Sequence, residues 1–122
     1  MLDHISIGVT DLCASRDFYL TVLSPLSVAV VKEMPNSVGL GQDGVPSFWL
    51  SAANHTPTPL HLAFTAETRA QVDAFHRAAL AAGATDNGAP GLRSGYHPNY
   101  YGAFVIGPDG HNVEVVCHRQ FA

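Results

Sequence analysis

Among the residues of types that hold a divalent metal ion, three stand out by their placement: His4 in "DHISIGV", His61 in "HLAFT" and Glu114 in "HNVEVVC". Two neutral imidazoles and one carboxylate make a borderline-soft donor set suited to Zn, Fe, Mn or Ni, with coordination positions left for water or substrate. Each histidine opens a stretch in which large apolar residues alternate with small or polar ones. Ile5, Ile7 and Val9 alternate with His4, Ser6 and Gly8, and Leu60, Leu62 and Phe64 alternate with His61, Ala63 and Thr65. Glu114 shares one strand face with Asn112 and Val116, while Val113, Val115 and Cys117 share the other. A carboxylate in so apolar a strand is costly unless a cation or a strong hydrogen-bond donor meets it.

The elements that position these residues come in two copies. After Thr10 or Asp11 as N-cap, "LCASRDFYLTVL" has helical spacing and Pro25 is expected to close the helix. "LSVAVVKEM", "SVGLGQ" and "SFWLSA" read as three strands joined by turns at Pro35-Asn36 and Asp43-Gly44. The second half repeats the order: a strand from His61, a helix in "ETRAQVDAFHRAALAAG" with Val72, Phe75 and Ala79 on one side and Gly83 as its stop, a weak strand over 84–87, then "YYGAFVI" and "HNVEVVC" joined by "GPDG". An offset of 57 residues lays His4 on His61 and Phe18 on Phe75. The expected fold is α+β, a single domain of two βαβββ modules, 1–53 and 60–122, with 54–59 as linker. A repeat that cannot bury its own sheet face pairs with its copy, so the modules are expected to form a cupped mixed sheet around a shared concavity. That symmetry would bring His4, His61 and Glu114 together.

Composition narrows the function classes. At 122 residues, 47% hydrophobic and 13% charged, the chain has the make-up of one compact globular domain. Its net charge of −4 and six scattered Lys and Arg residues supply no basic stripe, so nucleic acid is excluded as a partner. No stretch has the length of a membrane span, and "MLDHISIGVTDL" lacks the charge and apolar run of a signal peptide, so a cytoplasmic protein is expected. Cys13 and Cys117 have no metal or redox spacing and read as reduced thiols.

The stretch "APGLRSGYHPNYYGAF" leads into the strand before Glu114 and reads as a long Gly- and Pro-rich loop, a lid over the cup. In it His97 is a candidate general acid or base, Tyr100 and Tyr101 are candidate hydrogen-bond donors to an oxyanion, and Arg93 is a candidate carboxylate anchor. Trp49 reads as a cavity wall. His55, His76, His111 and His118 read as solvent-facing or locally hydrogen-bonded.

The opening "DHISIGVTDL", the "HLAF" start of the second half and the final "GPDGHNVEVV" resemble the vicinal oxygen chelate superfamily, the glyoxalase, bleomycin-resistance and extradiol-dioxygenase group. The resemblance covers essentially the whole chain. It implies paired modules around one divalent metal ion, often within a homodimer, and lyase, isomerase or dioxygenase chemistry on a small-molecule substrate that offers two neighbouring oxygens. Glyoxalase I typically adds a fourth ligand, a glutamate on the last strand of the first module, where this chain has Phe48 or Trp49. His4, His61 and Glu114 resemble instead the facial triad of extradiol dioxygenases, although Phe104 stands where those enzymes usually carry a tyrosine. Lys32 is the only lysine, so the cationic pocket of the fosfomycin-resistance thiol transferases is missing. The alternative implied by the resemblance is a metal-free protein that sequesters a drug, as bleomycin-resistance members do.

Overall fold

A computed structural model describes residues 1–120 of the chain. They form two compact units, Met1–Thr58 and a second from Pro59 onward, each a βαβββ module with its own four-stranded mixed sheet.

In the first module β1 (Ile5–Val9) leads to α1 (Leu12–Leu23), and β2 (Ala29–Met34), β3 (Ser37–Gln42) and β4 (Val45–Ala52) follow. The sheet order is β1-β4-β3-β2, with β1 parallel to β4 and the other neighbours antiparallel. Asp11 caps α1 by accepting the Ala14 N–H. The helix stops at Leu23, two residues before Pro25, which sits inside one 3-10 turn (Ser24–Leu26). Ser27, with φ of 62°, then turns the chain into β2. Phe18, Tyr19, Val22 and Leu23 on α1 are buried, as are Ile7, Val9, Leu40, Phe48 and Leu50 on the strands. Tyr19 packs edge-on against Phe48 at 5.0 Å and Phe18 at 5.1 Å. Asp43 and Gly44 both have positive φ, 52° and 74°, the type I′ geometry that joins β3 to β4.

The second module repeats the plan with β5 (His61–Thr65), α2 (Arg69–Ala81), β6 (Thr85–Leu92), β7 (Tyr101–Ile106) and β8 (Asn112–Cys117), in the sheet order β5-β8-β7-β6. Thr68 caps α2 in a reciprocal capping box with Gln71, and Gly83 ends the turn after the helix with φ of 94°. Val72, Phe75 and Ala79 are buried, as are Ala103, Val105, Val113 and Val115 on the strands. His111, read as a surface or local residue, is fully buried, and its Nδ1 accepts the Leu60 N–H at 3.0 Å, fastening the approach to β5 onto the start of β8.

β6 corrects an expectation. The weak strand over 84–87 runs on to Leu92, so the long loop shrinks to residues 93–100. β6 is an edge strand whose pairing with β7 is broken by irregularities at Asp86/Gly88 and Gly88/Gly91. Such edges accept the Gly and Pro residues that read as loop.

Candidate functional site

Strand parity in the second module puts His61 and Ala63 of β5, Glu114 and Val116 of β8, and Gly102 and Phe104 of β7 on the sheet face opposite α2. Glu114 is 1% exposed there. Its Oε1 lies 2.7 Å from His61 Nε2, and its Oε2 accepts the Tyr100 hydroxyl. The carboxylate that the apolar strand made costly is met from both sides.

Two glycines make room for this arrangement. A Cβ on Gly102 would stand 3.2 Å from the Tyr100 ring and 3.4 Å from Glu114 Oε2. A Cβ on Gly88 would stand 2.9 Å from the Phe104 ring and 3.2 Å from the Arg93 guanidinium. Arg93 lies over the Phe104 ring at 5.5 Å and donates to the Ala89 carbonyl at 2.7 Å, and Phe104 in turn neighbours the His61 imidazole at 6.1 Å. Burial first, then the hydrogen bond to Glu114, pushes the Tyr100 phenol up to about 12, so Tyr100 is a hydrogen-bond donor at physiological pH.

The other candidates fall in different places. His97 is exposed, its Nδ1 accepting the Asn99 N–H at 3.1 Å, and its ring meets His118 at 5.7 Å. His118, read from sequence as a surface or local residue, also packs edge-on against Tyr100 at 5.2 Å. Parity carried that signal, because 114, 116 and 118 share one side of β8 and its extension. Tyr101 faces the opposite side of the sheet. It pairs with Cys117, its hydroxyl donates to Asp73 of α2 at 2.7 Å, and the Arg69 guanidinium lies 5.1 Å from its ring centroid. The hydrogen bond to Asp73 raises its phenol above the ordinary range. The structure therefore joins Tyr100, and not Tyr101, to Glu114.

In the first module His4 precedes β1 with a half-exposed side chain, and its Nδ1 lies 2.6 Å from Asp3 Oδ1. Register settles the position left open between Phe48 and Trp49. β1 pairs Ser6 with Trp49 as β5 pairs Ala63 with Glu114, so Trp49 is the counterpart of Glu114. An indole there offers no metal ligand.

His61 Nε2 and Glu114 Oε1 are close enough to bind one cation through bonds of about 2.0–2.2 Å, and imidazole with carboxylate is a fitting donor pair for Zn, Fe or Mn. Among the described residues no cluster of three or more His, Cys, Asp or Glu side chains stands ready to hold a metal.

The fold is shared with solved structures. A glyoxalase/bleomycin resistance protein from Albidiferax ferrireducens T118 is 28% identical, with a TM-score of 0.81 over 93% of this chain and 96% of its own. A glyoxalase/bleomycin resistance protein/dioxygenase family enzyme from Burkholderia phytofirmans PsJN is 21% identical, with a TM-score of 0.75 over 97% and 98%. A glyoxalase-related enzyme from Fulvimarina pelagi is 21% identical, with a TM-score of 0.67 over 93% and 84%. No curated protein matches the chain. Residues 1–115 match the Glyoxalase/Bleomycin resistance protein/Dioxygenase superfamily. The chain belongs to that superfamily. Within the glyoxalase superfamily, the register that pairs Trp49 with Ser6 puts an indole, and not a carboxylate, at the first module's counterpart of Glu114. Among the described residues no helix is long and apolar enough to cross a membrane.

Proposed function

We propose that the chain is a divalent-metal-dependent enzyme acting on a small organic substrate with two adjacent oxygens, and that His4, His61 and Glu114 hold the metal. The observation that carries this reading is a buried carboxylate on a strand of valines, held between an imidazole and a phenol. A group so expensive to bury points to a role beyond packing. When bound, the cation supplies Lewis acidity toward the two substrate oxygens.

The remaining roles fall to the chain's own side chains. Tyr100, protonated, orients Glu114. Arg93, fixed over Phe104, anchors an anionic substituent of the substrate. His97 has Nδ1 occupied by the Asn99 N–H, so Nε2 is the nitrogen that exchanges a proton. The hydroxyl role considered for Tyr101 passes to Tyr100. The reaction is either glyoxalase-like lyase or isomerase chemistry or extradiol ring cleavage, in a cytoplasmic homodimer; Trp49 in place of a fourth ligand favours the three-ligand set.

Elemental mass spectrometry of untagged protein, beside Glu114→Ala and Glu114→Gln, tests the reading. About one ion per chain in the wild type and its loss in both variants are expected. Iron would direct assays to oxygen uptake on catechols, and zinc, nickel or manganese to an α-keto hemithioacetal. A wild type that stays empty when each metal is supplied would refute it.

A further inference from the structure

Asp86, Asn87 and Gly88 form an irregular stretch of β6, the edge strand of the second module's sheet. The register pairs Asp86 with Val105 and Gly88 with Phe104, which leaves Asn87 as the extra residue of a bulge. Asn87 is exposed, and Gly88 has φ of 149°, a conformation that residues with a Cβ rarely adopt. The Gly88 N–H donates to the Asp86 carboxylate at 2.9 Å. Of the five asparagines in the chain, only Asn87 precedes a glycine; the others precede Ser37, His55, Tyr100 and Val113, whose side chains crowd the backbone nitrogen that follows.

These three residues supply the parts of an intramolecular reaction. A side-chain carboxamide carbon is an electrophile, and the backbone nitrogen of the next residue closes a five-membered ring on it when no Cβ stands in the way. The addition needs a base for the proton of that nitrogen, and a carboxylate 2.9 Å away lies within the reach of a general base. The Gly88 N–H itself, and His76 second, hold the Asp86 carboxyl below its ordinary range, so Asp86 is ionised at physiological pH and is a weak base.

We propose that Asn87 deamidates without an enzyme, the Gly88 nitrogen attacking Cγ of Asn87 while Asp86 accepts its proton. The bond from the Gly88 nitrogen to Cγ forms, the bond from Cγ to Nδ2 breaks, and Nδ2 leaves as ammonia with the proton that Asp86 relays. Water then opens the cyclic imide at either carbonyl, leaving aspartate or isoaspartate at position 87. One water enters and one ammonia departs, with no change of oxidation state. An oxygen then stands where Asn87 Nδ2 donated to Asn112 Oδ1 at 3.2 Å, so that side-chain tie from β6 to β8 is lost. Neither Asp86 nor Asn87 belongs to the pair of His61 and Glu114 or to its supports, so the inference stands apart from the proposed activity.

The full chain is incubated near neutral pH at physiological temperature, folded and in urea, and followed by peptide-mapping mass spectrometry, release of ammonia and enzymatic methylation of isoaspartate. In the folded chain, conversion of amide to acid confined to the peptide that contains Asn87 is expected, with isoaspartate among the products and none in Asn87→Gln. Asp86→Ser, whose hydroxyl still accepts the Gly88 N–H but is no base, should slow the folded reaction by about three- to tenfold, less than is usual for general-base catalysis because the carboxylate is weak. In urea the variant and the wild type should convert alike. Since Asp86→Ser also loses the contact to His76, His76→Gln is the control: it loses that contact, keeps the carboxylate, and should convert at the wild-type rate. A folded chain whose Asn87 stays intact while the urea-unfolded chain converts, conversion spread over the other asparagines, undiminished conversion in Asp86→Ser, or equal slowing in His76→Gln would overturn the inference.

Discussion

Glu114 and Trp49 hold one register position in two copies of one module, and in each copy a glycine on the neighbouring strand, Gly102 beside Glu114 and Gly39 beside Trp49, leaves room for the side chain. Opposite Trp49 the chain places Gly39, so the indole lies flat; opposite Glu114 it places Phe104, whose ring supports Arg93. The sequence read both members of the metal-type pair, because an acid among valines is conspicuous. It could not choose between Phe48 and Trp49, since a shift of one residue exchanges the two faces of a strand and only the pairing partners fix it. The same parity separates Tyr100 from Tyr101. Removing the Tyr100 hydroxyl leaves a buried carboxylate oxygen without its donor, which costs about 1–3 kcal/mol. Tyr100→Phe should therefore lower stability to urea by that amount, whereas Tyr101→Phe, whose partner Asp73 is only part-buried, should cost about 1 kcal/mol or less. Equal losses in the two denaturation curves would contradict the assignment of Tyr100 as Glu114's support.

At the scale of elements, the features with local chemical signals were legible. Asp11 and Thr68 start the two helices, Asp43-Gly44 makes its hairpin, and the apolar spacing of Val72, Phe75 and Ala79 identifies the buried side of α2. β6 was legible only in its first residues because Gly88, Pro90 and Gly91 carry the composition of a loop, and nothing local announces that β7 lies alongside to pair with them. Long-range pairing, and not propensity, makes that strand. The cap of α2 is reciprocal, and its contribution can be measured. Thr68 and Gln71 satisfy each other's backbone N–H groups, and Gln71 also accepts the Glu67 N–H at 2.8 Å. Thr68→Ala removes the side-chain half of this box and should destabilise the chain by about 1 kcal/mol, with Thr68→Ser largely restoring it. Chemical denaturation of the two variants reads the difference; a neutral Thr68→Ala would mean that the first turn of α2 finds other acceptors.

For the molecule as a whole, the repeat was the most informative signal, because an offset that superposes two histidines and two core phenylalanines specifies the order of elements in both halves. Charge was the least informative, since 13% charged residues spread over the chain leave few ion pairs from which to read contacts. One of those pairs nevertheless sets a property of the whole molecule. Asp86 on β6 accepts the Gly88 N–H at 2.9 Å and lies 3.0 Å from Nε2 of His76, a mostly buried residue of α2. The Gly88 N–H first, and His76 second, hold its carboxyl below the ordinary aspartate range. A carboxyl that binds its proton less readily when folded than when unfolded contributes stability above its unfolded pKa, near 3.8, and loses it as pH falls through the lower folded value. Melting temperature should therefore drop as pH is lowered through about 4 and below, and Asp86→Asn, which keeps a side-chain acceptor for the Gly88 N–H but has no proton to gain, should show a shallower drop over that window. The two profiles should approach each other at the acid end, where the wild-type carboxyl is also neutral. Parallel profiles throughout would show that Asp86 titrates alike in the folded and unfolded chains, and that the contact between α2 and β6 is indifferent to its charge.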